Sequence, residues 1–266
     1  MSVTQKPSDI LSRFRLDGRT ALVTGASMGI GAAIAAALAE AGATVELVAR
    51  NADGSDKLDS VVSTICAAGG KARGSSVDVT NTEAVQQFVS GLKELDILVN
   101  NAGTNIPEPF VDVSEEHLDT VTNLNVRSNF LLSQYAVKRM VEHPDRKVRG
   151  GVIVNVTSQM GHVGSPNRTA YCMSKHAIEG LTKAMAVELA PQGIRVNSVA
   201  PTFVDTPPIR RIVDTPEKRE ALFSKIPMGR LAEIEDIAAA VLFLVSPAAS
   251  MVTGTSLLVD GGWTAQ

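Results

Sequence analysis

Residues 20–41 constrain the fold of this 266-residue chain more than any other stretch. Residues 20–24 read TALVT, a short apolar run bounded by turn signals, as expected of a strand buried on both faces of a parallel sheet. Gly25-Ala-Ser-Met-Gly29-Ile-Gly31 follows, and then an alanine-rich helix-forming run, 32–41. A strand, a glycine turn and a helix in that order are the setting in which a glycine motif can hold a phosphate. The glycines permit a tight turn and close approach of a pyrophosphate, while the helix start offers unpaired N–H groups and the positive end of its dipole. A plain tight turn between strand and helix is the competing reading.

The rest of the chain repeats this rhythm. Strands are expected at 44–49, 72–77, 96–100, 151–156, 194–199 and 256–259, with helices at 57–68, 83–92, 171–190 and 234–244. A long helical segment over 114–142 has a possible break at 123–125, where Asn125 interrupts an apolar pattern. Regular alternation without a linker or internal repeat predicts one α/β domain over 1–266, a Rossmann-type doubly wound parallel sheet of about seven strands with helices on both faces. Residues 1–18 form an N-terminal tail. Residues 201–227 lack periodicity, and a long loop inside a compact domain is usually functional.

In such folds an acidic residue ending the second strand holds the ribose of NAD, whereas arginine suits the extra phosphate of NADP. Here that strand ends in Ala49-Arg50-Asn51 and Glu46 lies mid-strand, so NADP is expected with Arg50 as its phosphate partner, and NAD is the alternative. Arg50 as a solvated loop charge is the rival reading. Asp78, at the edge of the third strand, is placed to bond an adenine amino group or to cap the next helix.

Tyr171 and Lys175 stand four residues apart, on one face of a helix. An ammonium beside a phenol favours the phenolate, so this pair can move a proton near neutral pH. Net charge −3 excludes a general nucleic-acid binder, and no apolar run is long enough to span a bilayer. Two cysteines, Cys66 and Cys172, cannot make a disulfide framework, and the tail lacks the apolar core of a secretory signal; a reduced cytoplasmic setting is expected.

Taken together, T-G-x-x-x-G-x-G (Thr24, Gly25, Gly29, Gly31), N-N-A-G (Asn100 to Gly103), Y-x-x-x-K (Tyr171, Lys175) and Ser158 thirteen residues before the tyrosine make the chain resemble the short-chain dehydrogenase/reductase family over essentially its whole length. Asn125, Asp78 and Asp96 match as well. The resemblance implies Tyr171 as the acid or base, Lys175 holding the nicotinamide ribose, Ser158 bonding the substrate oxygen and Asn125 holding a water that relays protons to Lys175. It also implies a cofactor bed of Gly25, Ser27, Met28, Gly29, Ile30, Gly31, Asp78, Val79, Asn101, Ala102, Gly103, Pro201, Thr202, Val204 and Thr206, together with Tyr171 and Lys175. Two departures stand out. Pro201 is followed by Thr202 where the family usually has glycine, and Met28 occupies a place that many NADP-binding members give to a basic residue.

By the same resemblance 201–227 is a substrate lid, and substrate contacts fall on Ser158, Tyr171, Gln159, His162, Thr202 and Phe203, with no metal. Polar loops and only 4% aromatic residues suit a sugar, polyol or sugar acid, and the ending D-G-G-W-T-A resembles members acting on these, gluconate-type dehydrogenases included. A 3-oxoacyl carrier-protein reductase is the alternative, and a dinucleotide sensor without chemistry is the remote one. The lid carries a mild basic excess, readable either as a preference for anions or as ordinary solvated charge. Members of the family mostly form tetramers through the two long helices, here 114–142 and 171–190, with Trp263 expected at a second interface.

Overall fold

The computed structural model describes residues 9–50 and 56–266; Asn51, the last residue of the 49–51 motif, and the first half of the N-terminal tail lie outside them. Seven strands form one sheet: β1 (Thr20–Thr24), β2 (Thr44–Ala49), β3 (Lys71–Ser76), β4 (Ile97–Asn100), β5 (Gly151–Val156), β6 (Ile194–Pro201) and β7 (Ser256–Val259). Every pairing is parallel, in the order β3-β2-β1-β4-β5-β6-β7. The strand order reverses between β1 and β4, which opens a crevice beyond the carboxyl ends of those strands, where ligands bind in open α/β sheets.

The helices are α1 (Gly29–Glu40), α2 (Lys57–Ala67), α3 (Thr82–Gly91), α4 (Glu115–Thr122), α5 (Ser128–Val141), α6 (Arg146–Arg149), α7 (Thr169–Leu189), α8 (Pro207–Ile212), α9 (Pro216–Phe223) and α10 (Ile234–Val245). Alternate side chains along each central strand enter opposite layers. Ala21, Val23, Ile97, Val99, Val152 and Val154 pack with Ile34, Leu38 and Val241 on the α1/α10 face. Leu22, Leu98, Ile153 and Val196 pack with Val85, Leu132 and Met140 on the α3/α5 face. Strands buried on both sides can carry the unbroken apolar runs seen in the sequence.

At the amino end of β4 the buried Asp96 takes a short, two-oxygen ion pair from Arg149 (2.6 and 2.7 Å), a bond from Arg146 at 3.2 Å and the Thr20 N–H at 2.9 Å. It pins β1, β4 and α6 at the end of the sheet remote from the crevice. No helix among the described residues is long and apolar enough to cross a membrane. Cys66 and Cys172 are both free thiols.

Two expectations change, and a third holds. Residues 201–227 are not a structureless loop: β6 runs on to Pro201, and α8 and α9 follow, each with proline in its first turn. These helices span only 6 and 8 residues, too short for periodicity to register. The third strand starts and ends one residue earlier than expected, and its largely exposed face shows why alternation placed it poorly. Finally, the 114–142 segment is α4 and α5 joined through a five-residue π-helical turn, Asn123–Arg127, at the expected break.

Candidate active site

β1 delivers Gly25 at φ +64°, and Gly29 follows at φ +55°, left-handed conformations that suit glycine. A Cβ on Gly31 would lie 2.3 Å from the Gly25 carbonyl oxygen, so the first turn of α1 can fold back against the loop only with glycine there. A Cβ on Gly29 meets nothing within 4 Å and would project into open space. No side chain caps α1 at Met28, whose own side chain is exposed, so the helix start keeps its donors. This open cradle fits a pyrophosphate.

The turn is braced from below. Asn101 spends its side-chain N–H donors on the Thr24 and Gly25 carbonyls (2.9 and 3.2 Å), and the Thr24 hydroxyl receives the Asn101 and Ala102 N–H groups. Asn101 is thus a brace for the glycine loop, not a side chain aimed into the crevice. Asn100 donates to Ser133 and Asn155 at 2.9 Å, and Asn155 donates to Thr182, tying β4 and β5 to α5 and α7 in a buried polar chain.

At the edge of β2, Arg50 is largely exposed, with its guanidinium 4.0 Å from Asp78. Asp78 accepts from the Thr80 N–H and hydroxyl (2.9 and 2.7 Å), which outweigh the cost of burial and lower its pKa, with Arg50 assisting. The next helix is capped by Asn81. Asp78 therefore forms its own turn, beside Val79, and leaves the cap to its neighbour.

Tyr171 and Lys175 lie in the first two turns of α7. The Lys175 Nζ donates to the Val156 carbonyl at 2.9 Å and stands 5.5 Å from the Tyr171 ring centre. Burial pushes its pKa down to about 8, while Glu179, one turn on, raises it. Burial pushes the Tyr171 phenol up, against a hydrogen bond with Ser158 and the charge of Arg168, which both lower it. The Lys175 ammonium is turned to Val156, and Ser158 and Arg168 supply the pull that opposes burial.

Ser158 follows β5 and accepts the Met160 N–H at 3.1 Å. Asn125 lies buried in the π-helical turn, a device often found where a helix must re-aim a side chain. Its Oδ1 accepts the Thr104 N–H at 2.8 Å; its Nδ2 donates to the Thr104 carbonyl and the Ser174 hydroxyl. A Cβ on Gly103 would come 3.2 Å from Asn125 Oδ1 and 3.7 Å from Lys175 Nζ, so glycine lets these groups converge.

Beyond Tyr171 opens a pocket of about 460 Å³, whose walls include Ile30, Ser158, Gln159, Thr202, Phe203, Val204 and Thr206. Helix α8 contributes Pro208, Ile209 and Ile212. Trp263, expected at an interface, packs within the chain against Phe203, ring centres 5.9 Å apart. His162, expected in the substrate site, is not brought to this pocket: its Nε2 lies 2.9 Å from Ser256 Oγ and 3.4 Å from Glu179.

Glu179 escaped the sequence reading. Its buried carboxylate takes the hydroxyls of Thr157 (2.5 Å), Ser198 (2.7 Å) and Ser256 (3.0 Å), binding the carboxyl end of β5 to β6, β7 and α7. An acidic residue in a helix otherwise facing the sheet is the signal that marks it. Asn105 and Arg168, which also line the pocket, were missed as well.

A family model described as Enoyl-(Acyl carrier protein) reductase matches residues 25–264. The chain is 41% identical over 256 residues to an L-xylulose reductase of Bos taurus, covering 94% of this chain and 98% of that protein. It is 44% identical over the same length to a cyclopentanol dehydrogenase of Comamonas testosteroni, covering 94% and 99%. Among solved structures, a gluconate 5-dehydrogenase of Burkholderia cenocepacia J2315, in complex with NADP and tartrate, superposes with a TM-score of 0.88 at 32% identity, covering 96% and 99%. The chain belongs to the short-chain dehydrogenase/reductase family. It is an NAD(P)-dependent oxidoreductase that interconverts an alcohol and a carbonyl compound.

Proposed function

We propose that the protein interconverts a secondary alcohol and a ketone on a sugar, polyol or sugar acid with NADP, and that Tyr171, Ser158, Lys175 and Asn125 carry the chemistry. The single observation behind this reading is that Ser158 and Tyr171 line one pocket at the carboxyl edge of the sheet, with Lys175 one turn behind.

When bound, the nicotinamide accepts or supplies the hydride. In the oxidising direction the Tyr171 oxygen takes the hydroxyl proton, and in reduction it returns one. The Ser158 hydroxyl bonds the substrate oxygen and stabilises charge that builds there. Lys175 holds the ribose and, by its charge, assists Tyr171; Asn125 fixes the segment at Thr104 and holds the water that relays protons to Lys175.

Gly25, Ser27, Gly29, Ile30 and Gly31 would carry the pyrophosphate, and the exposed Arg50 the NADP phosphate, with Asp78 beside it on the adenosine side. The NADP held by the gluconate 5-dehydrogenase supports this choice. A homotetramer in the cytoplasm fits the apolar side chains that α5 and α7 present to solvent, among them Phe130 and Met173. Turnover of a panel of sugars, polyols, sugar acids and 3-oxoacyl thioesters with NADP and NAD tests the reading. Oxidation of polyols or sugar acids with NADP is expected; turnover confined to 3-oxoacyl thioesters would replace it with the acyl reductase alternative.

A further inference from the structure

Among the described residues, four buried side-chain polar atoms have no hydrogen-bond partner: Asn105 Oδ1, Gln159 Nε2, Gln159 Oε1 and Thr202 Oγ1. All four belong to residues lining the pocket beside Tyr171. Buried polar atoms are nearly always paired, so four orphans around one cavity call for a partner that water or a polar ligand would supply. The pocket wall carries a single charged side chain, Arg168, and no carboxylate.

Arg168 is partly buried and makes no ion pair among the described residues; its guanidinium rests over the Phe203 ring, 5.8 Å from the centre. The backbone around it is set. Asn167, immediately before, is the one described non-glycine residue in the left-handed region (φ +58°), and its carbonyl takes the Glu108 N–H at 3.0 Å. Glu108 does not neutralise Arg168, because both its carboxylate oxygens face His117 Nδ1 at 3.0–3.1 Å.

Two cations of the 201–227 segment are already neutralised. Arg210 pairs with Asp205, Lys218 pairs with Asp214, and α8 gives the pocket only apolar side chains.

Resting on the proposed alcohol–ketone chemistry, we infer that Arg168 holds the carboxylate of a polyhydroxylated acid while Asn105, Gln159 and Thr202 bond its hydroxyls, so that the enzyme selects sugar acids over neutral polyols. A planar guanidinium offers the two parallel donors that a carboxylate accepts. Asn105 and Arg168 are thereby specificity residues, and neither performs the proton transfer.

The test compares D-gluconate with D-glucitol, and with D-glucitol 6-phosphate, in the NADP-loaded enzyme, by steady-state kinetics and by calorimetric titration. Wild type should prefer the aldonate. In Arg168→Gln the ratio of aldonate to glucitol KM, and of their Kd values, should rise about 10–100-fold, any effect passed through Tyr171 being common to both substrates, and Arg168→Lys should restore part of the loss. Thermal melts confirm that each variant is folded. Equal use of aldonate and alditol by wild type, a parallel loss on both in Arg168→Gln, or preference for the phosphate would overturn the inference while leaving the alcohol–ketone chemistry intact. If no alcohol or ketone is turned over, that chemistry fails, and the calorimetric difference between wild type and Arg168→Gln still decides whether Arg168 binds carboxylate.

Discussion

Lys175 sits where its charge is costly. Its side chain is buried along α7, its ammonium has one backbone carbonyl as a direct partner, and its pKa falls from 10.5 to about 8. The sign for stability follows. Between those values the unfolded chain binds more protons than the folded one, so this group's contribution to stability rises with pH through that window. Urea unfolding at two pH values, about 7.5 and about 9.5, should show wild type gaining about 1–2 kcal/mol on Lys175→Met as pH rises. A difference independent of pH would show that Lys175 is not desolvated as described. Glu179 opposes the shift from one turn away, held by the hydroxyls of Thr157, Ser198 and Ser256. Tyr171 depends on the same neighbourhood, with Ser158 and Arg168 offsetting the burial that would keep it protonated.

The β1–α1 unit is where backbone geometry decides ligand binding. Gly31→Ala would press a methyl group to within 2.3 Å of a carbonyl oxygen. Opening the turn to relieve that contact should weaken NADPH binding by about tenfold or more, since a small misplacement of a binding loop is enough to cost that much. Fluorescence titration of NADPH measures this, and an unchanged Kd would contradict the cradle assigned to the glycines. At the end of β2, Arg50→Ala should raise the Kd for NADPH about 10–100-fold and leave NADH within about twofold, because only the former carries the phosphate. Equal effects on both would return Arg50 to a solvated charge. Much of this was legible in the sequence, because strand, glycine turn and helix are local patterns with a fixed spacing. So was the break at Asn125, which showed as a polar residue inside an apolar helix. The short helices α8 and α9 were hidden by their length. Arg168 and Asn105 were hidden for another reason: only folding brings residues 105, 159, 168 and 202 around one cavity, and no spacing along the chain encodes that. His162 failed in the same way, since the loop carrying it turns toward Glu179 instead of the pocket.

At the scale of the whole molecule, the crevice between β1 and β4 and the pocket under α8 lie on one edge of the sheet, and the Asp96 ion cluster stabilises the opposite edge. Chemistry and framework are thus separated along the strands. A patch on the π-helical turn, α5 and α7 containing Val126, Phe130, Leu131 and Met173 remains open on the side of the single chain. The proposed tetramer should give way to smaller species in light scattering on Phe130→Glu combined with Met173→Glu, as charge in a buried apolar interface is costly. An unchanged tetramer would place the contact elsewhere. The central claim is that Tyr171 moves the proton while the rest of the fold holds the reactants, and it is tested most directly by Tyr171→Phe assayed for turnover and NADPH binding together. The account predicts kcat reduced by about 10²–10⁴-fold with the NADPH Kd within about threefold of wild type. Turnover retained within a few-fold by a folded, NADPH-binding Tyr171→Phe protein would contradict it.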